Sequence, residues 1–174
     1  MIFSLAFAAA LLGAAPARAQ EPGAAPVPIE VKAIAGCWRG EGQVMGKPVA
    51  ITLTAGPAAE DALFIVDSAS QATGDPADRH AAHLIFGGKT ATPAGGTIFG
   101  FWSDSFGGDY TAIGSGAATP GGFEVSYAYP DARFINRWSV AGDRLSWRIV
   151  AADAEGVEAD FADYALTRAD CPAH

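Results

Sequence analysis

Side chains able to do acid–base, nucleophilic or metal chemistry are sparse in this chain and poorly spaced for it. The histidines are His80, His83 and His174. His80 alternates with Ala82, Leu84 and Phe86, and His83 with Ala81 and Ile85, so the first two fall on opposite faces of one strand. Ser115 stands between glycines, but its spacing is not that of a nucleophile elbow, and no later histidine precedes His174. Gly87-Gly88-Lys89-Thr90 ends like a phosphate-binding loop. His83 occupies the place of its first required glycine and no helical pattern follows, so the segment reads as a hairpin turn. No Cys/His cluster has the spacing of a zinc site. Among the carboxylates, Asp104 follows a bulky apolar strand closely enough to sit at a cavity mouth, whereas Asp109, Glu155, Asp160 and Asp163 read as solvated turn residues. Catalysis would have to rest on Asp104 or another inward carboxylate titrating well above its ordinary range.

The aromatic residues form a more coherent set. Trp102, Tyr127, Tyr129, Trp138 and Trp147 fall at alternating positions of four central strands, accompanied by Asn136 and Asp104. Such rings either fill a core or line an apolar pocket. In the second case the pocket binds through buried apolar area, and Asn136 and Asp104 are the polar groups that orient the ligand.

Strands must carry these residues, because the chain is strand and turn almost throughout. The opening segment Gly36-Cys37-Trp38-Arg39-Gly40-Glu41-Gly42 alternates, with Ile34, Gly36, Trp38, Gly40, Gly42 and Val44 on one face. Glycine at alternate positions of a strand implies sharp coiling or a close neighbour. Further strands are predicted at 49–54, 62–69, 80–86, 97–104, 110–116, 123–129, 133–140, 144–151 and 157–168, with a loop over 70–79. Gly/Pro/Asp turn signals separate most neighbours, the layout of an antiparallel meander. Phe134, Asn136, Trp138 and Val140 share a face, and 144–149 alternates cleanly. With no convincing helix, the fold class is all-β, and a single up-and-down antiparallel barrel of about eight to ten strands removes the exposed edges that a sandwich would leave.

Residues 1–19 are apolar and end Ala17-Arg18-Ala19, the pattern of a secretory leader cleaved before Gln20. Residues 20–33 then read as a Pro-rich arm and 34–174 as the barrel domain. Export to a periplasmic or extracellular compartment fits the two cysteines, Cys37 in the first strand and Cys171 near the end, which an oxidising environment lets pair. That pairing requires the first and last strands to be neighbours. No segment is long and apolar enough for membrane insertion. The net charge of −8 argues against nucleic acid or anionic lipid as the main partner.

Gly36-x-Trp38, with Arg168 closing the last strand, resembles the calycin signature of lipocalins and related barrels. The resemblance implies that Trp38 closes one barrel end and that Arg168 stacks on it, with Gly36 as a structural partner. Gly100-Phe101-Trp102-Ser103-Asp104-Ser105, Gly114-Ser115-Gly116 and Tyr164-Ala165-Leu166-Thr167-Arg168 are similar to a bacterial calycin-like family of unknown function. Gly36-x-Trp38-x-Gly40-x-Gly42 is also similar to nitrobindin-like haem-binding barrels. Those carry a haem-ligating histidine in the last strand, where this chain has Phe161; His80 and His83 are the alternative ligands, but a lone strand histidine is more often structural, so haem is disfavoured and no cofactor is expected. The expected function is binding of a small apolar ligand between Trp102, Trp138 and Trp147. A structural or partner-binding envelope protein, with a filled interior, is the alternative, and an enzyme built on a cavity carboxylate is a third.

Overall fold

The computed structural model describes residues 25–90 and 97–172. The leader expected at 1–19 and His174 lie outside the described residues. Ten strands follow one another: β1 (Gly36–Val44), β2 (Lys47–Ala58), β3 (Leu63–Ala72), β4 (Asp75–Gly88), β5 (Ile98–Asp104), β6 (Ala112–Thr119), β7 (Gly122–Ala128), β8 (Arg133–Ala141), β9 (Arg144–Ala152) and β10 (Glu158–Ala169). Each pairs antiparallel with its neighbours in sequence, and β1 pairs with β10, which closes the barrel. The expected class and topology hold.

Closure is pinned where the first and last strands meet. Trp38 lies opposite Arg168 in the β1–β10 register. The Arg168 guanidinium carbon sits 4.2 Å from the Trp38 ring centroid, and its Nη1 donates to the Ala35 carbonyl at 2.9 Å. Trp38 Nε1 donates to the Ile34 carbonyl at 2.8 Å, which satisfies a buried indole N–H. Cys37 and Cys171 form a disulfide across the same seam. Gly40 has no room for a side chain, since a Cβ there would run into the Ala165 carbonyl of β10. Gly42 is closed in the same way by the Asp163 carbonyl, so these two glycines of β1 mark close approach of the neighbouring backbone, whereas Gly36 makes room for the Arg168 guanidinium.

Several strand ends differ from the sequence reading, β2 among them, predicted over 49–54 and running Lys47–Ala58, and at two links the path of the chain differs as well. Residues 70–79, predicted as a loop, belong mostly to a long β3–β4 hairpin that turns at Thr73-Gly74. Pro76 lacks an N–H for the ladder, and the register jumps from Gln71–Arg79 to Ala72–Asp75, looping out residues 76–78. Small and charged residues there hide the alternation. At 110, where a strand was predicted to begin, Gly108–Tyr110 is instead a single turn of 3-10 helix, and β6 starts two residues later. Asp104 Oδ1 accepts the Phe106 N–H at 2.9 Å and Gly107 takes a φ of 95°, so the chain bends away from the strand before β6.

The interior is divided along its length. Residues 25–34 run across one end, where α1 (Ile29–Lys32) lies against β7 and Val27, Val31 and Ile34 are buried. Behind them Trp38, Leu53, Phe64, Leu84, Phe86, Ile98, Phe123, Val125, Leu145 and Leu166 fill the barrel. This half is a packed core. The opposite half, bounded by the β1–β2, β3–β4, β5–β6 and β7–β8 connections, is hollow.

Candidate functional site

Register sets an aromatic belt at the boundary between the two halves. Phe123 pairs with Trp138, Trp138 with Trp147, and Trp147 with Tyr164 on successive strands β7 to β10. Side chains opposite one another on one face must meet, and these stack. Phe123 and Trp138 lie 5.8 Å apart at 6°, Trp138 and Trp147 4.3 Å apart at 13°, and Trp147 and Tyr164 5.0 Å apart at 36°. From β5, Trp102 leans on Trp147 at 6.1 Å and on Tyr127 at 5.9 Å.

Beyond the belt the barrel opens into a cavity of about 940 Å³. Its wall includes Trp102, Tyr127, Phe134, Trp147, Ile149 and Tyr164, and its rim includes Met45, Phe106 and Tyr110. The rim residues are exposed apolar or aromatic groups, and Met45 sits in a tight hairpin turn with Gly46, both at positive φ. Tyr127 owes its place to two glycines. A Cβ on Gly100 would come within 2.7 Å of the Tyr127 hydroxyl, and one on Gly114 within 2.7 Å of its ring.

Polar groups enter this wall at few points. Asn136 is 1% exposed and accepts the Trp147 Nε1 proton at 2.9 Å through its carboxamide oxygen. Because an indole is only a donor, this fixes the amide orientation and leaves the NH₂ group as the donor Asn136 can offer. Asp104, with its side chain 7% exposed, accepts Trp102 Nε1 at 2.8 Å, and His80 Nε2 lies 3.5 Å from the same oxygen. Tyr129 donates its hydroxyl to the Tyr110 carbonyl at 2.8 Å. Burial, with the nearby Asp104 charge second, pushes the Tyr129 phenol above its ordinary range. Burial raises Tyr127 much further, with Tyr129 adding to it, and pushes Tyr164 up to about 12. All three phenols are neutral at physiological pH.

Of the residues singled out in the sequence, Trp102, Asp104, Tyr127, Tyr129, Asn136 and Trp147 border the cavity. Trp138 does not. It is 2% exposed and held between Phe123 and Trp147, so its ring belongs to the core beneath the cavity floor. Asp109, read as a solvated turn residue, borders the mouth, as do Asp78 and Asp131. Ile149, Tyr164 and Phe134 were missed as lining residues, although each follows from alternation with a residue already assigned or from its strand partner; Phe161, missed as well, reaches the cavity where the β10 register shifts between Asp160 and Ala162, which alternation does not show. His83 points outward and meets Asp67 on the barrel exterior at 2.6 Å. Phe161, where the nitrobindin-like resemblance places a haem ligand, packs edge-on against Phe134 at 4.9 Å and has no donor for iron. The residues present do not fit that ligand set.

No protein-family model and no curated protein sequence matches the chain. Solved structures do. A crystal structure of Rv2717c from M. tuberculosis superposes with a TM-score of 0.57 at 12% identity, covering 84% of this chain and 99% of that one. The S-type phycobiliprotein lyase CPES from Guillardia theta superposes with a TM-score of 0.54 at 13% identity, covering 82% of this chain and 92% of that one. At such identities the likeness concerns the fold. Together with the closed ten-stranded meander and the Trp38–Arg168 closure, it shows that this chain has a calycin-like fold.

Proposed function

We propose that the protein is an exported, lipocalin-like binding protein that holds a small apolar molecule in the open half of its barrel. The cavity of about 940 Å³ carries this reading, because it is walled by aromatic and aliphatic side chains and sealed below by the stacked belt. Pockets of this size and composition bind through buried apolar area, with a few polar groups setting orientation. Trp102, Tyr127, Tyr129, Asn136, Trp147 and Asp104 would form the contact set. Trp138 would support Trp147 from beneath.

The partner-binding alternative expected a filled interior and loses ground to the cavity. The enzymatic alternative draws on one observation, the 3.5 Å approach of His80 to Asp104 inside the mouth. The export element rests on the leader pattern and agrees with a disulfide between Cys37 and Cys171.

The test is a titration of the purified protein with fatty acids, isoprenoids and other apolar metabolites, following tryptophan emission and thermal stability. A saturable emission change that shrinks in a Trp102→Phe variant is expected. If every compound leaves both emission and melting temperature unchanged, the binding reading fails. Chemical turnover of any bound compound, lost in Asp104→Asn, would move the enzymatic reading ahead. N-terminal sequencing of the protein from its export compartment is expected to begin at Gln20.

A further inference from the structure

The charges at the cavity mouth narrow the ligand class. Four carboxylates border the cavity, Asp78, Asp104, Asp109 and Asp131, against one lysine, Lys47. Lys47 is already engaged by Asp78 at 3.0 Å. Asp104, Asp109 and Asp131 are then left, among the described residues lining the cavity, with no cationic side chain except His80 when it is protonated. These carboxylates stand among aromatic rings, with Trp102, Phe106, Tyr110 and Tyr129 on the same wall or rim.

Carboxylates beside aromatic rings, with no cation to spare, suit a positive ligand and oppose a negative one. Ring quadrupoles attract a cation within about 6 Å of the centroid, and low-dielectric cleft walls focus the field of the carboxylates. Resting on the binding reading above, we infer that the cavity takes an amphiphilic cation: an apolar or aromatic body bearing a protonated amine or quaternary ammonium group. The body lies against Trp147, Ile149 and Tyr164, and the cationic head sits by Asp104 at the mouth. Fatty acids, with the same body and the opposite head, are the disfavoured class.

Three probes sharing one alkyl chain separate the terms: decyltrimethylammonium chloride, decanol and decanoate, each below its micelle concentration. Tryptophan emission is followed at mildly alkaline pH, where a histidine ordinarily carries no charge. At low salt the ammonium probe is expected to bind at least about tenfold more tightly than decanoate, with decanol between, and the ratio narrows towards about 150 mM salt as the mouth is screened. Asp104→Asn narrows the ratio at low salt, as does Asp131→Asn, which sits in an exposed turn and leaves the Trp102 hydrogen bond in place. Asp61→Asn, in the turn between β2 and β3 at the opposite end, keeps the ratio. Decanoate binding as tightly as the ammonium probe overturns the cation inference and leaves the apolar pocket standing. A ratio insensitive to both mouth variants overturns it as well. Absence of a saturable signal from all three probes removes the pocket reading and the inference together.

Discussion

Single side chains on the two sides of the belt do different work. Arg168 spans the seam, with its guanidinium over Trp38 and its Nη1 on the Ala35 carbonyl. Replacing it with Ala removes a partly exposed cation–π contact, one hydrogen bond and the cover of its aliphatic stem, so a loss of about 1–2 kcal/mol is expected in urea denaturation. An unchanged midpoint would show that the stack is incidental to closure. Tyr127 poses the reverse case, because its hydroxyl is buried without a partner. Removing an unpaired buried hydroxyl relieves its desolvation, so Tyr127→Phe is expected to be neutral or stabilising by up to about 1 kcal/mol. The sign of its alkaline behaviour follows from the same burial. Unfolded tyrosines ionise near pH 10, while Tyr127 and Tyr164 resist ionisation in the fold, Tyr164 up to about 12. Stability is therefore full below about pH 10 and falls above it, since only the unfolded chain gains the phenolate. The alkaline unfolding midpoint of Tyr127→Phe is expected to lie higher than that of the unmodified protein.

Strands were more legible than the links between them, for a physical reason. In β8 and β9 the alternation of large apolar with charged residues is strong, so the predicted spans 133–140 and 144–151 differ from the observed Arg133–Ala141 and Arg144–Ala152 by one residue at one end. The β3–β4 hairpin fails that test because Ala, Ser and Asp carry little periodic contrast, and Pro76 suggests a break where the chain loops out and resumes. Glycine spacing in β1 did carry information: a Cβ at Gly40 would strike the β10 backbone. Gly40→Ala should therefore push β1 off β10 rather than disturb a side chain. Because the obstacle is a carbonyl held in the ladder, the cost is expected near the upper end of overpacking, about 3 kcal/mol. Gly46→Ala, where a Cβ would meet open space but φ is 78°, gives the comparison in which only turn strain acts. A smaller loss at Gly40 than at Gly46 would contradict close approach as the reason for the β1 glycines.

At the scale of the whole barrel, topology followed from turn chemistry and from two cysteines at opposite ends of the chain, but the division into a packed and a hollow half did not. Alternation reports which side chains point inward and says nothing about their height along the axis, so Trp138 and Trp147 looked equivalent in sequence. Their pairing across β8 and β9 stacks them, and only Trp147 reaches the cavity. The same closed topology makes the Cys37–Cys171 crosslink a constraint on the entire chain, with a separation of 134 residues. The chain-entropy treatment assigns a loop of this length about 4–5 kcal/mol of unfolded-state restriction, and crosslinks commonly deliver 2–4. The ladder that joins β1 to β10 holds the folded state together whether or not the crosslink restrains the unfolded one. Reduction, or the paired Cys37→Ser and Cys171→Ser substitution, is thus expected to leave the barrel closed under native conditions and to lower its unfolding free energy by about 2–4 kcal/mol. Ligand-induced tryptophan emission should survive reduction, since the disulfide lies at the packed end and the cavity at the other. Two titratable thiols in the protein purified without reductant would remove the crosslink from the molecule. Loss of the emission response on reduction, with the fold intact by circular dichroism, would show instead that the seam and the cavity are coupled through the length of β1 and β10.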